Sequence, residues 1–130
     1  MRKTRSKTPK MPFALVLQHV MFWDFEGEFT VTDDEPFRTT VELEIEIVGQ
    51  PGTIIFRGVV ANQWGIAEMP KPRRETLQGR TPIKVVGSMT SLEIEAQLKS
   101  LVDECTDEHW DASYALLCRY FECGEFDRYR

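Results

Sequence analysis

Residues 41–47 alternate without exception, with Val41, Leu43, Ile45 and Ile47 apolar and Glu42, Glu44 and Glu46 between them. Successive side chains of a β-strand point to opposite faces, so this run forms a strand with one face in a core and the other in water. A helix would spread the same residues around its circumference. The run extends over 39–48, the turn formers Gly49-Gln50-Pro51-Gly52 follow, and Thr53 to Ala61 is again rich in β-formers. A β-hairpin is predicted.

The flanking segments are less regular. Residues 13–23 have strand length and are apolar on both faces, as expected of a strand buried on both sides. Glu26-Gly27-Glu28 is read as a turn, Phe29 to Thr32 as a short strand pairing back, and Asp33-Asp34-Glu35-Pro36 as a polar break. Residues 62–81 have no clean period and are read as a long connection, with a short strand near Trp64 to Glu68. Ile83 to Gly87 is expected to be the last strand.

The period then changes to that of a helix. Thr90 and Glu93 fit a capping box, and Ile94, Leu98, Leu101, Val102 and Cys105 share one helical face. Thr106 is expected to cap a second helix, with Asp107 and Glu108 in its first turn; Trp110, Tyr114, Leu117, Cys118 and Phe121 form its apolar face and Gly124 its stop. A hairpin-built antiparallel sheet of about four to five strands, packed against a C-terminal αα-hairpin, is an α+β fold. No internal repeat or low-complexity tract is present.

The 130 residues fit one domain. The net charge of -5 conceals a segregation: Arg2, Lys3, Arg5, Lys7 and Lys10 occur in the first ten residues with no acid, leaving eleven bases against twenty-one acids in the remainder. Residues 1–12 are therefore read as a mobile basic tail, and residues 13–130 as a single acidic domain. The apolar stretch behind the tail is broken by Gln18 and His19, lacks a small-residue cleavage site, and is too short to span a membrane. A cytoplasmic protein is expected. Three cysteines at uneven spacing are read as reduced thiols.

Three constellations bear on function. Cys105, His109, Cys118 and Cys123 could ligate zinc, Cys105 and His109 being four residues apart, although the spacing matches no usual zinc pattern and the cysteines fall on apolar faces. Trp64, Lys71, Arg73, Arg74, Arg80 and Lys84 place an aromatic among bases and, with the tail, could contact a nucleic acid. Glu42, Glu44 and Glu46 stand about 7 Å apart along one strand face, a spacing able to imitate phosphates. With Asp33, Asp34 and Glu35 before them, and Asp103, Glu104, Asp107, Glu108 and Asp111 at the helix junction, they offer two acidic surfaces. An alternating Glu row is also a common way for a half-exposed strand to stay soluble.

The sequence contains no Walker loop, nucleophile elbow or His-Glu-x-x-His motif, so neither an enzyme nor a cofactor is expected. The reading favoured is a small non-catalytic protein of inhibitor, immunity or adaptor type. It would hold a protein partner with a basic surface through Glu42, Glu44, Glu46, Asp103, Asp107, Glu108 and Asp111. Nucleic-acid association and a zinc-stabilised module are the alternatives.

Overall fold

A computed structural model describes residues 14–69 and 80–123. Leu15–Phe22 (β1), Arg38–Ile47 (β3) and Ile54–Ala61 (β4) form an antiparallel sheet in the order β1-β3-β4. β3 and β4 are the predicted hairpin. Val41, Leu43 and Ile45 are completely buried and Glu42, Glu44 and Glu46 face the other way, as the alternation requires. The class is α+β with an open sheet of about five strands.

The far edge of β4 is shared by two short strands. Ile83–Lys84 (β5) runs parallel beside Val60 and Ala61, and Glu122–Cys123 (β7) runs antiparallel beside Phe56 and Arg57. The sheet is thus not wholly hairpin-built, and the predicted last strand is shorter than residues 83–87. Gly58 makes room for the return of the chain: a Cβ there would lie 2.7 Å from Cδ1 of the fully buried Phe121.

β1 is not buried on both sides. Its register slips between Leu17, opposite Ile45, and His19, opposite Glu44, leaving Gln18 as the extra residue of a β-bulge. Leu15 and Leu17 before the bulge and Val20 and Phe22 after it all oppose apolar residues of β3, while Val16, His19 and Met21 oppose the Glu row. The bulge reverses the parity of the strand, which made the stretch look apolar on both faces.

The helices cover one face of this sheet. Ser91–Cys105 (α2) begins with the predicted capping box, Thr90 Oγ1 accepting from the Glu93 N–H at 3.1 Å and Glu93 Oε1 accepting from the Thr90 N–H at 2.9 Å. It buries Ile94, Leu98, Val102 and Cys105 against the strands. Trp110–Leu117 (α3) is shorter than expected. Thr106 closes α2, its hydroxyl donating to the Val102 carbonyl at 3.1 Å, and the N-cap position of α3 is taken by His109 without a side-chain bond. α3 ends at Leu117, and the Tyr120 and Phe121 N–H groups both return to the Leu117 carbonyl, so a turn carries Phe121 into the core. Gly124, the expected stop, lies outside the described residues.

The region predicted as a strand near Trp64 to Glu68 is the helix Gln63–Ala67 (α1). Asn62 caps it and organises much more. Its Oδ1 accepts from the N–H groups of Gly65 at 2.8 Å and Phe37 at 2.9 Å, and its Nδ2 donates to the carbonyls of Glu35 at 2.7 Å and Thr32 at 3.4 Å. The Phe37 carbonyl runs so close that a Cβ on Gly65 would lie 2.0 Å from it. The short strand Thr30–Val31 (β2) pairs with Met89–Thr90 (β6) and not back onto β1. Phe25, Phe29 and Phe37 stack above it, with Phe25 and Phe29 centroids 4.1 Å apart.

Asn62 is 1% exposed and uses two donors and two acceptor positions, so truncation strands several buried backbone groups at once. Asn62→Ala is expected to destabilise the protein by about 2–4 kcal/mol in urea unfolding, with an unchanged m-value.

Candidate partner-binding face

No described helix packs on the outer face of the sheet. Its middle column is the β3 row Glu46, Glu44, Glu42 and Thr40, with Val16, His19 and Met21 alongside on β1, Trp23 just beyond its end, and Ile55, Arg57 and Val59 on β4. Val16, Met21 and Trp23 are exposed, Trp23 at 54%. Sequence reasoning missed these three because it assigned the β1 segment to the interior. The wet face of β3 was the available signal, since a strand paired to β3 must share that face.

The carboxylate row is not uniform. Arg57 Nε donates to Glu42 Oε2 at 2.9 Å, and its guanidinium carbon stands 6.0 Å from the Trp23 ring centroid. Gln18 Nε2 donates to Glu46 Oε1. All three glutamates are half-buried. A pocket of about 230 Å³ opens at the β4 side of this face, between Trp23, Arg57, Val59, Arg80 and Tyr120.

Asp103, Asp107, Glu108 and Asp111 are exposed at the α2–α3 junction. Asp103 and Asp111 belong to α2 and α3, which pack on the core side of the sheet, and Asp107 and Glu108 to the loop between them, whereas the Glu row lies on the outer face. At the end of the sheet near α1, six acids, Asp24, Glu26, Glu28, Asp33, Asp34 and Glu35, occur between Trp23 and Phe37 without a base.

The basic constellation is divided among different neighbours. Trp64 donates its indole N–H to the Asp33 carbonyl at 2.8 Å, beside the acidic segment. Arg80 Nε donates to the Phe121 carbonyl at 2.9 Å, and Lys84 is exposed on β5. Lys71, Arg73, Arg74 and the basic tail lie outside the described residues.

The zinc constellation is also separated. α2 stops at Cys105, so Cys105 and His109 do not share a helix; the cysteine is buried and the histidine exposed. Among the described residues no group of three or more His, Cys, Asp or Glu is placed to hold a metal ion. Cys118 and Cys123 instead flank Tyr114, whose ring stands 5.5 Å from Trp110 and 6.1 Å from Phe56. Burial, and then the two neighbouring thiols, push the Tyr114 hydroxyl up to about 12. Burial and then Glu104 also push the Cys105 thiol up, against an opposing effect of Arg119.

An open α+β sheet presenting one face of mixed acidic, aromatic and aliphatic residues has the anatomy of a small protein-interaction module. The family model of immunity protein 8 matches residues 14–129, beginning just after the basic segment, and the chain belongs to that family. It is a small immunity-type protein, of a generally non-catalytic class that acts by binding a toxin partner. Neither a curated protein nor a solved structure matches the chain.

The Tyr114 shift makes stability sensitive to alkali. A hydroxyl whose folded pKa is raised holds its proton longer in the native state, so its contribution is complete below pH 10 and is lost as pH rises through about 12. Ultraviolet titration is expected to show Tyr114 ionising late, and Tyr114→Phe to flatten the fall in urea stability across that interval.

Proposed function

We propose that this protein neutralises its toxin by covering a basic surface of it with the outer face of the sheet. The carrying observation is that exposed Val16, Met21 and Trp23 lie beside Glu42, Glu44 and Glu46 on one continuous face. Aromatic residues, Met and Arg are enriched in interface cores, and apolar anchors supply most of the affinity of an interface. Carboxylates around such anchors accelerate encounter with a basic partner and fix its orientation.

Glu44 and Glu46 carry most of the charge available to the toxin, because Glu42 is already bridged by Arg57. This proposal does not use Asp103, Asp107, Glu108 and Asp111, which lie at the α2–α3 junction. It needs no catalytic step and no cofactor: blocking a basic groove is sufficient. The cytoplasm is the compartment we propose for it.

Capture from the native host with tagged protein, followed by mass spectrometry, is expected to return the toxin with the wild type. The double variant Glu44→Lys/Glu46→Lys should lose it, and Trp23→Ala should weaken the complex about 100-fold, equivalent to about 3 kcal/mol. Undiminished capture by the charge-reversed variant, with its fold intact by circular dichroism, would rule out the acidic face.

A further inference from the structure

The two edges of the sheet are treated differently. The β4 edge is closed by β5 and β7, whereas among the described residues no strand pairs with the outer edge of β1. Edge strands usually carry Lys, Pro, inward charges or a β-bulge, each of which discourages pairing with another chain. The eight residues of β1, Leu-Val-Leu-Gln-His-Val-Met-Phe, contain no proline and no Lys, Arg, Asp or Glu. The one irregularity is the bulge at Gln18, which interrupts a single position.

Among the described residues, no strand takes up the backbone groups on that edge. The Trp23 N–H donates to the Thr40 carbonyl of β3 at 2.9 Å, and the inward and outward directions alternate along an antiparallel strand. The Val20 N–H therefore points away from β3. Beside the edge runs a groove of about 440 Å³ between β1 and α2, lined on the helix by Leu92, Glu95, Ala96 and Lys99. These four recur at the spacing of one helical face, and Leu92 is 56% exposed.

We propose that the occupant of this edge is a second copy of the chain, β1 pairing antiparallel with its counterpart across a two-fold axis. Charge selects this occupant. A two-fold interface must complement itself, and Glu95 and Lys99, one turn apart on the same flank, do so: the axis brings each glutamate to the other copy's lysine. Ala96 permits close approach of the two helices, and Leu92 finds apolar cover. The outer faces of the two copies then merge into one continuous sheet carrying two Glu rows. The dimer is independent of the proposed toxin face, because its residues lie on the edge and core side of β1.

Sedimentation and light scattering of the full chain test it. At about 100 µM the wild type is expected at twice its 15.1 kDa mass. Val20→Pro removes the outward N–H while leaving the β1–β3 bonds, and should raise the dimer dissociation constant at least tenfold. Lys99→Glu places like charges together and should do the same, while Glu95→Lys/Lys99→Glu, which exchanges the pair, should restore the dimer to within about threefold of wild type. The exchanged double variant separates a specific pairing from mere loss of folding. A wild-type monomer at this concentration, or failure of the exchanged variant to recover, would overturn the proposal. A monomer that loses toxin capture on Val20→Pro would assign the edge to the toxin instead.

Discussion

Val41, Leu43 and Ile45 are sealed from water while Glu42, Glu44 and Glu46, one residue away on the same backbone, remain in contact with it. A slip of one residue would exchange the two sets, forcing carboxylates into an apolar layer at several kcal/mol each. Every element packed on β3 must respect that division. β4 does so through Phe56, Gly58 and Val60 on one side and Arg57 on the other. β1 does so only because its bulge turns Val20 and Phe22 to the same side as Leu15 and Leu17. α2 and α3 then have one place to go, and the opposite face is left to carry charge.

That division also separates stability from recognition. The groups whose removal should most destabilise the chain, such as Phe56, Leu98, Phe121 and Asn62, lie in the core or beneath the aromatic loop. Those of the proposed toxin face lie across the sheet, joined to the core only through the backbone. Asn62 differs in kind, a polar side chain that belongs to the interior because it binds backbone groups of Thr32, Glu35 and Phe37 at once. A surface built in this way can change residue by residue while the scaffold persists.

Much of this was legible in the chain. The strict period of Val41 to Ile47, the turn at Gly49–Gly52, the Thr90–Glu93 capping box and the apolar stripe from Ile94 to Cys105 are local patterns, and each produced the element expected of it. Less visible were features set by distant partners. The bulge at Gln18 answers to the register of β3, β7 exists because Gly58 admits Phe121, and the late start of α3 follows from Thr106 serving the previous helix. α1 could have been found from Asn62 as an N-cap, but Trp64 and Ile66 resemble strand residues equally well. The candidate face was half legible: its glutamates were evident, whereas Met21 and Trp23 were hidden by the parity change.

The shared edge of β4 bears on when the protein becomes competent. Val60 pairs with Ile83 and Phe56 with Cys123, so the middle of the sheet draws on chain made much later, and contacts of such long span form slowly. A chain growing at about 5–20 residues per second holds β3 and β4 on the ribosome for seconds before β7 emerges. During that interval the strand behind the Glu row has an open flank. The sheet is therefore completed from its β1 side toward its β4 side, and its last pairing waits for the C-terminal end of the described chain.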